Sequence, residues 1–319
     1  MIKVGITGCQ GLEAAELVRV LINHPDVELC WAMGNIPQCT RLDAIVPGII
    51  GECDLVANSG ETPLSEVDVV FACGDASQVC SMANVLNLSE ETHVIDVSGS
   101  HNLSHEQDQD WKYGLSEMQR RVLVHDAHLV TLPGCVAAAS LLAVMPMARN
   151  LMLNSPLDVS ARVGSVAFPE DENGQESFDL AIFTDSQRQE IENALRQCQS
   201  SFNQPVNLSI SPLDERRTLV VDVCFKCGVT DDEIRHLYEE YYDDHNFVFI
   251  VDGPVTTVDV ENTNKCLISF SKDDRTGLLT VRAVMDLLLK GGAGNAVHIM
   301  NLMFGLHERV GLSLKATGC

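Results

Sequence analysis

Positive charge is scarce in this chain. Its 319 residues include 21 Lys and Arg against 45 Asp and Glu, a formal net charge of −24. A surface of that sign repels phosphate backbones and anionic lipid, so neither nucleic acid nor a membrane surface is an expected partner. Long apolar runs are missing too. Met1-Ile2-Lys3-Val4-Gly5 starts no apolar run of signal-peptide length, so no secretory leader is expected. No stretch reaches the ~20 apolar residues of a membrane span, so a soluble, cytoplasmic protein is expected. Internal repeats, low-complexity tracts and proline-rich linkers are absent. Aromatic residues make up only 5%, yet 45% of the chain is apolar. That share suits a globular core in one large or two ordinary domains.

Twelve cysteines are present, but they are scattered, and most lie in apolar runs such as Val69-Val70-Phe71-Ala72-Cys73. Buried, reduced thiols are the expected state. Cys224 and Cys227 form the one Cys-x-x-Cys pair, at the end of an alternating strand with no second pair nearby. No metal site is expected.

The first third alternates strand and helix. Ile2–Ile6, Val27–Trp31, Val67–Cys73 and His93–Val97 read as apolar strands. Leu12–Asn23 has helical spacing, with Leu12, Ala15, Leu17, Val18, Leu21 and Ile22 on one side, and 77–88 reads as a second helix. Such strands, separated by helices, imply a parallel sheet covered on both faces. After residue 135 the pattern changes. Val136–Leu151 reads as a buried helix, and Leu157–Val166, Thr218–Phe225, Ser269–Phe270 and Leu278–Val284 read as strands of a mixed or antiparallel sheet. Helices are predicted at Glu190–Gln197 and Asp231–Tyr242, the latter capped by Thr230. A last helix is predicted from near Gly291 to Phe304.

Three motifs carry chemistry. Gly5-Ile6-Thr7-Gly8-Cys9-Gln10-Gly11 follows a strand and opens a helix. There, glycines let the backbone approach a pyrophosphate, and the helix start offers free N–H groups. The competing reading is a structural tight turn. The second strand ends Met33-Gly34-Asn35, without the acid that grips the ribose of NAD, and Arg41 follows. This points to NADP rather than NAD. Leu132-Pro133-Gly134-Cys135-Val136 places a cysteine at a helix start, where the dipole favours a thiolate. It reads as a nucleophile, or as a small residue capping a buried helix. Leu289-Lys290-Gly291-Gly292-Ala293-Gly294-Asn295-Ala296-Val297 is a glycine-rich helix start, suited to a ligand or to close packing.

Together these motifs resemble the N-acetyl-γ-glutamyl-phosphate reductase family, an arginine-biosynthesis branch of the semialdehyde dehydrogenases. The resemblance runs end to end through His24-Pro25-Asp26-Val27-Glu28, Tyr113-Gly114-Leu115-Ser116-Glu117, Pro133-Gly134-Cys135, the segment 290–295 and Asn301-Leu302-Met303-Phe304. It implies an α/β protein: a Rossmann dinucleotide-binding domain over 1–134 and 290–319, and an α+β catalytic and dimerisation domain over 135–289. The second domain would be of the glyceraldehyde-3-phosphate-dehydrogenase-like type, in a homodimer or homotetramer. It also implies that Cys135 attacks an N-acyl-γ-glutamyl phosphate and that NADPH reduces the resulting thioester to the semialdehyde. Gly5, Thr7, Gly8 and Gly11 would then hold the cofactor phosphates, with Ser98, Gly99 and Asn295 along the cofactor.

The chain departs from the family at its acid–base group. The family's His-x-His-x-Pro-Glu segment is matched by Asp185-Ser186-Gln187-Arg188-Gln189-Glu190, and no histidine occurs between His128 and His236. Asp185 is a candidate substitute base. A Ser-Gly/Thr-Gly-Ala-Gly loop is replaced by Gly164–Glu172, which ends Glu170-Asp171-Glu172, a poor setting for an acyl phosphate. The Pro-Arg-Gly loop is shortened to Asp214-Glu215-Arg216-Arg217. Val136 stands where an aromatic is usual, and Leu287 replaces an asparagine. The expected function is therefore that reductase or a close relative, with impaired or altered activity. The alternative is a catalytically disabled paralogue that binds a dinucleotide or a partner.

Overall fold

The computed structural model describes residues 1–37, 39–59, 64–74, 89–104, 110–168 and 179–316. The chain forms two compact units, one of Met1–Leu132 with Gly292–Ser313 and one built on Pro133–Gly291. The helix expected over 77–88 and the acidic run Glu170–Glu172 lie outside the described residues.

The first unit is a six-stranded, wholly parallel sheet. Its strands are β1 (Ile2–Thr7), β2 (Val27–Met33), β3 (Val69–Ala72), β4 (His93–Asp96), β5 (Trp111–Tyr113) and β6 (Leu129–Thr131), in the order β2-β1-β3-β4-β6-β5. Val4, Ile6, Val69, Val70, Phe71 and Ile95 are buried on both sides of the pleat, as a doubly covered parallel sheet requires. Helix α1 (Leu12–Leu21) buries Ala14, Leu17, Val18, Val20 and Leu21. Its buried face is rotated from the expected one: Ala14 and Val20 are buried and Leu12 is exposed. Helix α2 (Ser116–His125) was not foreseen; its apolar spacing is broken by Gln119, Arg120 and Arg121, and it kinks at Gln119.

The second unit centres on α3 (Cys135–Arg149), buried at every position from Val136 to Ala148. A mixed sheet supports it, in the order β10-β11-β12-β9-β7-β8: β7 (Leu157–Gly164), β8 (Val206–Leu213), β9 (Thr218–Lys226), β10 (Val248–Ile250), β11 (Cys266–Asp273) and β12 (Leu278–Asp286). The pairs β11/β12, β12/β9 and β9/β7 are antiparallel, whereas β10/β11 and β7/β8 are parallel. Leu219, Val221, Val223 and Phe225 share the buried face of β9, as their alternation predicts. Asp222 and Arg282 pair on the opposite face at 2.6 Å.

Helix α4 (Leu180–Cys198) begins ten residues before the expected start, after the N-cap Asp179, whose carboxylate accepts from Ala181 N–H and Ile182 N–H. Helix α5 (Asp231–Tyr242) has the expected bounds and a full capping box between Thr230 and Glu233. Pro146 sits inside α3 and has no N–H for Leu142 O. Tyr242 Oη donates to that carbonyl at 2.5 Å, and Tyr238 Oη to Ala143 O at 2.6 Å. The last helix, α6, spans Gly294–Met303 in the first unit, after an irregular turn through Leu289–Ala293. It starts later than expected because Gly292 adopts φ −158°, ψ −110°, which no helix accommodates.

Candidate active site

In the first unit, the predicted cofactor residues gather at the carboxyl edge of the parallel sheet, where such folds bind ligands. Thr7 ends β1. Gly8 follows at φ +69°, and a Cβ there would fall 2.9 Å from Gly74 N. Only glycine suits both the left-handed conformation and that approach. Gly11 is the N-cap of α1 and donates its N–H to Gly8 O at 3.0 Å. Gly5 has a different neighbour: its missing side chain is replaced by the Trp31 indole, with Cζ2 at 2.2 Å from an ideal Cβ.

Ser98 Oγ donates to Asp96 at 2.6 Å, and Gly99 turns the chain at φ +69°. Buried Asp96 also accepts from Thr131 Oγ1 and His101 N–H, fixing this corner. Asn295, in the first turn of α6, donates from Nδ2 to Gly114 O at 2.9 Å. Two buried polar atoms here lack a hydrogen-bond partner, Thr7 Oγ1 and Asn295 Oδ1. Buried polar groups are rarely left unpaired. Orphans at two of the seven cofactor positions fit a polar ligand at this edge, so the residues present fit a dinucleotide.

Two charged groups lie on the segments that follow β1 and β2. Arg41 does not stand open for a 2′-phosphate. Its guanidinium is engaged by Asp43 at 2.7 Å and Asp54 at 2.9 Å. Glu13, which the sequence reading passed over, lies in the first turn of α1, and burial pushes its carboxyl up.

In the second unit, Pro133-Gly134 leads directly into α3, with Cys135 as its first residue, half-buried and free of any disulfide. Two side chains of α4 hold this start. Glu190, fully buried, accepts from Gly134 N–H at 3.0 and 3.2 Å. Gln187 is 3% exposed, and its Oε1 accepts from Ala137 N–H at 3.0 Å. Gly134 is what lets Gln187 in, because an ideal Cβ there would lie 2.0 Å from Nε2. On another side Gly291 faces Cys135, its ideal Cβ 3.2 Å from that of the cysteine.

The turn that carries Gly291 is anchored by Asp286. Its carboxylate accepts from Leu288 N–H, Leu289 N–H and Asn262 N–H at 2.7–2.9 Å and pairs with Arg217 at 3.1 Å. Lys290 is buried, with Nζ 5.9 Å from the centre of the Phe247 ring. Asp185, the candidate substitute base, faces outward. It is 58% exposed and paired with Arg188 at 2.6 Å. The hydrogen bonds from Arg188 hold its carboxyl below the usual range, so it accepts a proton less readily than an ordinary aspartate. Position 185 sits on the outer side of α4, whereas 187 and 190 face α3.

Among the described residues no group of three or more His, Cys, Asp or Glu is placed to hold a metal ion. Among them, no helix is long and apolar enough to cross a membrane.

A Rossmann-type unit followed by a cysteine-bearing α/β unit is the architecture of the semialdehyde dehydrogenase class. Family models bear this out: "Semialdehyde dehydrogenase, NAD binding domain" matches residues 3–125, and "Semialdehyde dehydrogenase, dimerisation domain" matches 135–286. Aspartate semialdehyde dehydrogenase with NADP from Candida albicans shares the fold at TM-score 0.73, with 12% identity over 95% of this chain and 98% of that one. The Vibrio cholerae aspartate semialdehyde dehydrogenase II complexed with ASA gives TM-score 0.69 at 13% identity, covering 95% and 98%. Nearer in sequence are the N-acetyl-gamma-glutamyl-phosphate reductases of Parabacteroides distasonis, 38% identical, and Phocaeicola vulgatus, 36% identical, each over 99% of both chains. The chain belongs to the N-acetyl-γ-glutamyl-phosphate reductase family.

Proposed function

We propose that this protein is an NADP-dependent N-acyl-γ-glutamyl-phosphate reductase of arginine biosynthesis, slowed by the loss of the family's imidazole base. The observation that carries the reading is Cys135 at the start of α3, with Gly134 N–H held by Glu190 and Gly291 leaving room beside the cysteine. A thiolate there attacks the acyl carbon, and phosphate leaves. When bound, NADPH would supply the hydride that turns the thioester into the semialdehyde. Gly8 and Gly11 open the α1 N-terminus to the cofactor phosphates, with Gly5 setting the strand beneath them. Thr7, Ser98, Gly99 and Asn295 line the rest of its path. NADP is favoured over NAD because Met33-Gly34-Asn35 offers no carboxylate to a ribose 2′-OH. A phosphate at that position would have to compete with Asp43 and Asp54 for Arg41. The match to a dimerisation domain supports an oligomer, and we assign a cytoplasmic homodimer or homotetramer acting on a small-molecule substrate.

Loss of a general base typically removes ~10²–10⁴ in rate. Turnover should therefore lie at least about a hundredfold below that of an imidazole-bearing site. A coupled assay with NADP⁺, phosphate and N-acetyl-glutamate semialdehyde tests this. Slow NADPH formation, abolished by Cys135→Ser, is expected. NADPH formation that survives Cys135→Ser would overturn the assignment. A second reading, a disabled paralogue that keeps dinucleotide binding, is favoured by the non-titrating Gln187 where the family has histidine. It predicts nucleotide binding with no turnover at all.

A further inference from the structure

Gln187 remains unexplained by the loss of imidazole chemistry. It is nearly fully buried, and its orientation follows from the donor it meets. Ala137 N–H can bond only to the oxygen of the carboxamide, so Oε1 takes that side at 3.0 Å and Nε2 takes the other. The whole carboxamide lies over Gly134, whose ideal Cβ would be 2.6 Å from both Cδ and Oε1, and Nε2 is the atom nearest to it, at 2.0 Å. The carboxamide protons are thus presented at the turn immediately before the nucleophile. The third N–H of the helix is already consumed, and Gly134 N–H is consumed by Glu190.

We infer that Gln187 is a catalytic donor rather than a replacement base: its Nε2 hydrogen-bonds the acyl oxygen while that atom carries negative charge. The inference rests on the reading of Cys135 as an acyl-accepting nucleophile. In that step a bond forms between Cys135 Sγ, as thiolate, and the acyl carbon, and the carbonyl pair moves onto oxygen. The carbonyl then re-forms, the bond from carbon to the phosphate oxygen breaks, and inorganic phosphate departs with that electron pair. A carboxamide takes no proton from a thiol, so Gln187 does not assist thiolate formation. It does present a fixed donor to the oxyanion between the two bond changes. Removing one preorganised donor of this kind costs ~10²–10³ in rate.

The test compares two reactions of Cys135 in the full chain. Acylation by p-nitrophenyl acetate passes through an oxyanion; alkylation by iodoacetamide does not. Gln187→Met removes the donor without adding charge. Gln187→Glu keeps an oxygen for Ala137 N–H, and so the helix cap, while replacing the donor. Both variants should lower the ratio of acylation to alkylation rate at least tenfold, with peptide mapping confirming Cys135 as the modified residue. A ratio within threefold of the parent in both, or a parent whose Cys135 alkylates but does not acylate, would leave Gln187 as a helix cap only and overturn the inference. Failure of the reductase reading shows separately, as NADPH formation that survives Cys135→Ser.

Discussion

Replacing Gly134 with alanine isolates the contact on which the nucleophile turn is built. The backbone at this position, φ −59°, ψ 144°, accepts any L-residue, so a cost can come only from the side chain. The new Cβ would stand 2.0 Å from Gln187 Nε2 and 2.6 Å from Cδ and Oε1, and the whole carboxamide must leave. Leaving breaks its bond from Ala137 N–H and strands that donor, at roughly 1–3 kcal/mol. Restricting the unfolded chain recovers ~0.4–1 kcal/mol. The preference of an N-cap for glycine over alanine is about the same size, so these two effects offset each other. The net loss is ~1–3 kcal/mol, or a fall in Tm of ~2–12 °C at ~2–4 °C per kcal/mol. Calorimetric melts of Gly134→Ala, Gln187→Ala and the double variant measure it. With the glutamine gone, Gly134→Ala should be within about 0.5 kcal/mol of neutral, giving a coupling of ~1–3 kcal/mol. An equal cost in both backgrounds would refute the reasoning.

Gly8→Asp should abolish dinucleotide binding in calorimetric titration, because φ +69° and the 2.9 Å approach to Gly74 N exclude a side chain and the new charge repels phosphate; retained affinity would move the cofactor elsewhere. Asp54→Asn should free one side of the Arg41 guanidinium and tighten NADP about fivefold while leaving NAD unchanged, and equal gains for both nucleotides would remove Arg41 from the 2′-phosphate. Glu13→Gln should tighten both nucleotides about two- to fivefold, the scale of a charge at a helix N-terminus. Because burial raises the Glu13 carboxyl, binding to the parent should strengthen as pH falls through that raised value, where the protonated form prevails; the variant should lose this dependence, and a pH profile common to both would count against it.

The parallel sheet was legible because β1, β3 and β4 are short apolar runs, which burial on both faces demands. Helix α5 was legible to the residue because Thr230 and Glu233 specify its start locally. Strand β8 was missed, although Val206, Leu208 and Ile210 alternate, because Ser209, Ser211 and Pro212 read as loop residues; as a strand at the sheet edge it tolerates them. The first half of α4 was missed because its exposed Ile182 blurs the apolar period. At the site, the substitution of histidine by Gln187 was visible in the chain. Its bond to Ala137, fifty residues away, was not. Arg41 shows the same limit: Asp43 is close in sequence, but Asp54 reaches it only through the fold.

The proline in the nucleophile helix has a consequence for inheritance. Pro146 deprives Leu142 O of its helical partner, and Tyr242 of α5 supplies the missing proton. Each residue is tolerable because of the other. A lineage that lost the tyrosine hydroxyl first would carry a buried carbonyl with no donor, whereas one that lost the proline first would regain a backbone N–H and make the hydroxyl dispensable. Substitution along this branch should therefore be ordered, with position 146 released before position 242.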